Sequence, residues 1–270
     1  MLFETNQNCT GDGICAQVCP VGIIQMIDGK PQPAPNSEAR CIACGHCVAV
    51  CPHAAMDHTH MKTADCLPIE ASQRPGPDQM EHILRMRRSI RNYTNTSVEK
   101  EQVMRLIHMA RYANTGHNSQ SVKWHVTLGR EKVKDLIEVT VRWMEWMIKE
   151  QPEMAKAMFL VPLVRAWQKG HDGIGRGAPA IISTYSPESD RFAPMSSTIA
   201  LSYLELAAPS LNLGTCWAGY MNMSAAQSPA MKQAMGLPAD SKIHGMVLIG
   251  HPQFKYYRLP LRKAPEITWN

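Results

Sequence analysis

Cys41-Ile-Ala-Cys44-Gly-His-Cys47-Val-Ala-Val-Cys51-Pro52 decides how the first quarter of this chain folds. Its frame is C-x2-C-x2-C-x3-C-P, so three thiols sit close together and a fourth stands just before a proline. The same frame occurs earlier in the chain, in Cys9-Thr-Gly-Asp12-Gly-Ile-Cys15-Ala-Gln-Val-Cys19-Pro20, with Asp12 where a cysteine is expected. The two runs are offset by 32 residues (47 − 15 = 32) and form an internal repeat. Seven of the nine cysteines lie between Cys9 and Cys51, and only Cys66 and Cys216 fall outside. A disulfide scaffold suits a short secreted chain, and Met1-Leu-Phe-Glu-Thr-Asn does not open like a secretory signal. Dense cysteines in a reducing compartment mean bound metal instead. So short a segment buries little apolar surface alone, and an inorganic core is expected to organise it.

The C-x2-C-x2-C-x3-C-P spacing is that of bacterial iron–sulfur runs, in which the cysteine before the proline serves the other cluster. Zinc more often uses two separated C-x2-C pairs. Residues 5–58 resemble the two-cluster bacterial ferredoxins. The resemblance implies one cluster held by Cys19, Cys41, Cys44 and Cys47, and a second held by Cys9, Cys15 and Cys51 with Asp12 at the fourth corner. A carboxylate is a harder ligand than a thiolate. Three arrangements answer to it: Asp12 ligates a 4Fe-4S cluster, the corner is lost and a 3Fe-4S cluster remains, or water or hydroxide completes the site. The first is the expectation. Cys66 is expected to be a free thiol, and His46, His53, His58 and His60 to be surface residues.

Outward from the repeat, Pro68, Pro75, Gly76 and Pro77 mark a linker over residues 67–79. It separates a ferredoxin-like segment, 1–66, from a larger domain, 80–270. Asp78 with Glu81 is the expected cap of a helix after the linker, and Thr96 with Glu99 that of a second. Val103, Leu106, Ile107 and Ala110 follow at helical spacing, as do Val133, Leu136, Ile137, Val141 and Met144 within 131–150. Val122, Trp124, Val126 and Leu128 alternate as a half-buried strand does. Further strands are expected at 179–185, 215–221 and 243–250, and an apolar helix at 196–208 that Pro209 ends. The Met- and Trp-rich stretch from Trp143 to Trp167 is read as packing.

At 270 residues with 44% hydrophobic content, the chain can build one sizeable core and a small satellite. Charged residues make up 19% and the net charge is +5, with no long basic runs. No nucleic-acid surface is expected, and no apolar run is long enough to span a bilayer. The expectation is a cytoplasmic protein with no membrane partner.

Arg85-Met-Arg87-Arg88-Ser89-Ile-Arg91-Asn-Tyr93 collects guanidinium groups and a hydroxyl able to clamp a phosphate. Ala113-Asn-Thr-Gly-His-Asn118-Ser-Gln120-Ser-Val-Lys-Trp124 follows. Together with Arg176-Gly-Ala-Pro179 and Leu213-Gly214-Thr-Cys216-Trp217-Ala218-Gly219, these stretches resemble the nitroreductase family over residues 80–265. The resemblance implies an α+β fold: a nitroreductase-like FMN-binding domain with a mixed sheet flanked by helices, carrying a small N-terminal ferredoxin-like domain. It implies FMN as cofactor, its phosphate and ribityl end held by Arg87, Arg88, Ser89 and Arg91, and its ring near Asn118 and Gln120. The proline that usually follows that glutamine is Ser121 here. Backbone amides at Ala218 and Gly219 would approach flavin N5 and O4, and Arg262, with Arg258 and Lys263, would return to the phosphate. A homodimer is also implied. Cys216 is expected to be a small buried apolar residue. Gly173-Ile-Gly175-Arg-Gly-Ala178 satisfies G-x-G-x-x-A, but a strand follows it where a dinucleotide fold needs a helix.

Clusters pass single electrons and a flavin handles one or two, so their union implies an oxidoreductase. It would move electrons from two iron–sulfur clusters to FMN, and on by hydride transfer to a small organic acceptor of nitroaromatic or quinone type. No catalytic side chain is required. An external ferredoxin or NAD(P)H would be the donor. The alternative is an electron carrier or redox sensor whose flavin domain docks a protein partner.

Overall fold

The computed structural model describes residues 2–270, which fall into two compact units. One comprises the residues up to Pro75 with His117–Ser119, and the other Gly76–Gly116 with Gln120–Asn270.

The first unit is built twice from one plan. Its elements are β1 (Phe3–Thr5), α1 (Ile14–Gln17), β2 (Ile24–Ile27), β3 (Lys30–Pro33), α2 (Ser37–Arg40), α3 (His46–Ala49) and β4 (Met56–His58). β1 pairs antiparallel with β4, and β2 with β3. The 32-residue repeat carries α1 onto α3 and the start of β2 onto that of β4. Gly13 (φ 71°) and Gly45 (φ 74°), which precede the two short helices, are both left-handed, a conformation open to glycine at little cost. Leu2, Phe3, Cys15, Ile23, Ile24, Val48 and Met56 form a small core against which Cys19, Cys41, Cys47 and Cys51 pack.

The second unit is a helix–sheet–helix sandwich. It contains α4 (Pro77–Met86), α5 (Lys100–Ala110), β5 (Lys123–Leu128), α6 (Arg130–Glu150), α7 (Pro152–Ala157), α8 (Leu160–Gln168), β6 (Ala180–Pro187), α9 (Ala193–Ala207), β7 (Gly214–Trp217), α10 (Gly219–Gln227), α11 (Pro229–Ala234) and β8 (Ser241–Gly250). The sheet order is β5-β6-β8-β7 and every neighbour pair is antiparallel. Its mixed character comes from one parallel bridge, Ser89 to Thr215, on the β7 edge.

Alternation along the central strands explains the two helical layers. Ile181, Met246 and Leu248 face one core with Val133, Leu136, Ile137, Met144 and Met147 of α6. Ala180, Ile182 and Ile249 face the other, with Val103, Leu106 and Ala110 of α5 and Leu204 of α9. Each Val, Leu, Ile or Met side chain among these contributes roughly 1.5–3 kcal/mol on burial, and each Ala less.

The expected helices and strands of this unit are present, but three boundaries move. The helix after the linker is capped by Gly76, whose N–H donates to Gln79 Oε1 at 3.0 Å, not by Asp78. Pro77 takes the first helical position, where its missing N–H costs nothing. α5 is capped by Glu99, whose N–H donates to Gln102 Oε1 at 3.1 Å, not by Thr96. The strand expected over 215–221 stops at Trp217, because Gly219 opens α10. No helix among the described residues is long and apolar enough to cross a membrane.

Candidate cluster and flavin sites

In the first unit, the repeat folds the expected ligands around two hollows. Cys19, Cys41, Cys44 and Cys47 line one, together with His58 and the apolar side chains of Phe3 and Ile24. Cys9, Asp12, Cys15 and Cys51 line the other. All seven cysteines are free thiols. In each set the cysteine before the proline crosses to the hollow of the opposite run, as the spacing leads one to expect. Backbone N–H groups point at sulfur on both sides: Ala43 N to Cys41 Sγ at 3.4 Å, and Ala55 N to Cys51 Sγ at 3.3 Å. Four thiols around one hollow, and three thiols with a carboxylate around the other, are donor sets that fit iron–sulfur cores. Among the described residues, no group of three His, Cys, Asp or Glu side chains is arranged to hold a single metal ion.

Burial pushes the Cys47 thiol up to about 11, and burial likewise raises Cys15. Without metal these groups are therefore protonated at neutral pH, and iron binding must release their protons. Asp12 lines its hollow while Oδ1 accepts from Ile14 N at 3.0 Å, so the carboxylate also supports the start of α1.

His58 is not a surface residue. It is 3% exposed, and its Nε2 lies 3.4 Å from Cys41 Sγ. Its Nδ1 accepts from His60 N at 3.1 Å, and burial holds the imidazole below its ordinary pKa, hence neutral. Sequence spacing missed it because the contact closes across a turn and a strand. Cys66 is exposed. Asn118 belongs to this unit, where Nδ2 donates to the carbonyls of Ile42 and Ala43, both at 3.0 Å.

In the second unit the 87–91 segment runs beside β7. Ile90 N donates to Thr215 O at 2.8 Å, and Gly214 is required there because a Cβ would stand 2.4 Å from Ile90 Cγ1. Two clefts flank this contact. The first, of about 740 Å3, is lined by Arg87, Arg88, Glu205, Thr215, Tyr256 and Arg258 among others. That volume falls within the roughly 300–1,000 Å3 usual for small-molecule sites. The second, of about 400 Å3, is lined by Arg91, Arg176, Cys216, Trp217, Gly219 and Tyr220. Ser89 pairs with Thr215 through the parallel bridge. The segment expected to clamp one phosphate thus presents Arg87 and Arg88 to one cleft and Arg91 to the other.

The remaining expected flavin residues are dispersed. Ala218 is buried and its N–H donates to Met246 O at 2.9 Å, so the backbone N–H that opens the next helix is that of Gly219. Gln120 N donates to Thr115 Oγ1 at 3.0 Å. Arg258 lines the first cleft, whereas Arg262 stands exposed on a C-terminal stretch without regular structure. Cys216 is 5% exposed within the core. The G-x-G-x-x-A run forms a loop around the Asp172 carboxylate, which accepts from the N–H groups of Ile174, Gly175 and Gly177, and β6 follows it.

Glu205 is the residue that motif reading did not find. It is 7% exposed on α9 and lines the first cleft. Its Oε2 accepts from Trp217 Nε1 at 2.8 Å, its Oε1 accepts from Thr215 Oγ1 at 3.2 Å, and Arg87 Nη1 lies 3.7 Å away. The available signal was a lone carboxylate sharing the apolar helical face of Leu201, Leu204 and Ala208.

This order of motifs and folded elements is matched by comparison with known proteins. Residues 84–251, more than half of the chain, match the nitroreductase family. The chain belongs to the nitroreductase family. Residues 8–56 match the 4Fe-4S dicluster domain, so this nitroreductase is an oxidoreductase that carries a ferredoxin domain. Among solved structures, a nitroreductase with bound FMN from Bacteroides fragilis is 19% identical, with a TM-score of 0.56, covering 70% of this chain and 97% of its own. A nitroreductase with bound FMN from Desulfitobacterium hafniense is 20% identical, with a TM-score of 0.55, covering 70% and 96%. A BluB-like flavoprotein from Clostridium difficile is 18% identical, with a TM-score of 0.53, covering 68% and 94%. At these identities the likeness is one of fold.

Proposed function

We propose that this nitroreductase is an iron–sulfur flavoprotein that accepts electrons on two clusters and delivers them through FMN to a small organic acceptor of nitroaromatic or quinone type. The observation that carries the reading is the sorting of eight ligand groups into two hollows, in the same chain as a nitroreductase domain. Cys19, Cys41, Cys44 and Cys47 hold one 4Fe-4S cluster. Cys9, Cys15 and Cys51 hold the other, with Asp12 at its fourth corner. The division of labour runs across residues 67–79, with the clusters before it and the flavin after.

FMN fits the donors of the second unit. Arg87 and Arg88 are forked cations at a cleft of suitable size, and Arg258 joins them. Ser89 continues the clamp, Gln120 approaches the ring, Ala218 and Gly219 form its backbone wall, and Arg262 closes on the phosphate, while Arg91 faces the neighbouring cleft. When bound, FMN supplies the exchange between one-electron and two-electron chemistry and passes hydride to the acceptor. The protein's part is placement. Glu205 holds Arg87 and Trp217 in fixed orientation, and the apolar walls limit water. No side chain acts as nucleophile. The protein works as a homodimer in the cytoplasm, taking electrons from a reduced ferredoxin or from NAD(P)H.

The test is the content of iron, acid-labile sulfide and flavin per chain in protein purified without oxygen. About eight irons with one FMN is the expected result, and about seven would mean an empty Asp12 corner. Iron near zero with zinc present would overturn the reading. Steady turnover with a nitroaromatic or quinone separates an enzyme from a mere electron carrier, which would show none.

A further inference from the structure

We infer that His58 is a positioning residue for the cluster of Cys19, Cys41, Cys44 and Cys47, and that its N–H bond to the Cys41 sulfur holds that cluster at a higher reduction potential than the Asp12 cluster. Electrons then run from the Asp12 side to the Cys41 side. The inference rests on the reading that these cysteines hold clusters.

The hydrogen-bond pattern assigns the proton. His58 Nδ1 accepts the backbone N–H of His60, so that nitrogen is bare, and in a neutral imidazole the proton then sits on Nε2. Nε2 lies 3.4 Å from Cys41 Sγ and is therefore the donor. The ring is held on both sides and almost wholly shielded from water, at 3% exposure. Reduction adds negative charge that spreads onto the sulfurs. A donor aimed at sulfur stabilises the reduced cluster more than the oxidised one and raises its potential.

The internal repeat supplies its own control. Thirty-two residues before His58, on β2 as His58 is on β4, stands Met26. Met26 lines the Asp12 hollow as His58 lines the other. A thioether has no hydrogen to donate. The backbone contacts do not offset this difference, because among the described residues each hollow has one: Ala43 N to Cys41 Sγ on one side and Ala55 N to Cys51 Sγ on the other. His53 and Thr10 also line the Asp12 hollow, but among the described residues neither bonds a cysteine sulfur, so the His58 imidazole is the additional donor. Asp12 acts in the same sense, since a hard oxygen ligand favours the oxidised iron of its own cluster. Both departures from the symmetric repeat therefore separate the two potentials in one direction. Each transfer moves one electron from a reduced-ferredoxin-class donor, with no bond made or broken and no proton moved from Nε2.

The experiment is a dithionite titration of the anaerobically purified full chain, followed by electron paramagnetic resonance, with iron and sulfide counted on the same samples. The unaltered protein should reduce in two separate one-electron steps. His58→Leu should lower the higher step about tenfold in its equilibrium constant, about 59 mV for one electron, and leave the lower step in place. His58→Gln, which keeps an N–H donor, should stay nearer the original. Met26→His, at an exposed position on the rim of that hollow, should raise the lower step and narrow the gap. If His58→Leu fails to retain iron, the Gln and Met26→His results decide. Unchanged steps in iron-replete variants, or movement of the lower step in His58→Leu, overturn the role of His58. Iron near zero in the unaltered protein overturns the cluster reading instead.

Discussion

Replacing Glu205 by alanine should cost the second unit about 3–4 kcal/mol. The carboxylate is 7% exposed and serves three partners at once. The Trp217 Nε1 bond at 2.8 Å is charge-assisted and contributes roughly 1.5–3 kcal/mol. The Thr215 bond at 3.2 Å adds less, and Arg87 at 3.7 Å sits at the limit of an ion pair. Removal leaves an indole N–H and a half-buried guanidinium without their acceptor, and breaking a buried pair from one side typically costs about 3–5 kcal/mol. For a unit of this size each kcal/mol lowers the midpoint by about 2–4 °C, so Glu205→Ala should melt roughly 10 °C early. Glu205→Gln keeps an oxygen for Trp217 but loses the charge facing Arg87, and should recover about half of that. The assay is thermal unfolding of the full chain, read by tryptophan fluorescence with and without added FMN. A Glu205→Ala midpoint within about 2 °C of the parent would mean instead that water already satisfies these partners. The same variants should weaken FMN binding, since Arg87 loses its fixed orientation.

Arg88→Ala and Arg258→Ala should each weaken FMN binding about 10-fold or more while leaving riboflavin affinity unchanged, because a charge-assisted bond of about 1.5–3 kcal/mol to the phosphate is lost; equal losses for both ligands in fluorescence titration would place the arginines elsewhere on the flavin. Stripping iron with a chelator should lower the urea midpoint of the first unit and spare the second, since the first has only a small core; urea unfolding followed by circular dichroism checks this. The iron-free first unit should lose stability as pH rises from about 9 towards 11, because the folded state holds the Cys47 proton, with its pKa pushed to about 11, beyond the point at which the unfolded thiol gives its proton up. Urea midpoints that rise over that interval would contradict the burial argument. Asp12→Cys should restore the full frame and bring the content to about eight irons per chain whatever the parent holds.

Much of this could be read directly along the chain, and particular residues show why. The cluster ligands are legible because their spacing is local: three cysteines within seven residues can hardly do anything but converge, and the repeat announces the second set. The helices and central strands are legible because Val103, Leu106 and Ala110, or Ile181 against Ala180 and Ile182, repeat at the period of the element they build. The helix caps were misplaced by two or three residues, because Asp78 and Thr96 are good caps in isolation and the choice among neighbouring candidates depends on where the chain turns. Arg87, Arg88 and Arg91 were legible as a cluster, but a line of sequence does not show that β7 lies alongside and parts them into two clefts.

Chemistry of short reach is therefore written along the chain: two thiol-rich frames, a basic segment, and the order of motifs that marks a nitroreductase. Contacts closed over long stretches of chain emerge only when the elements pack. His58 reaches Cys41 over 17 residues, Glu205 meets Trp217 across a helix–strand turn and Arg87 across more than a hundred residues, and Asn118 meets Ile42 over 76. The physical reason is the same in each case. Periodicity and spacing encode which side chains share a face of one element, whereas the partner of a buried polar group is chosen by how separate elements pack.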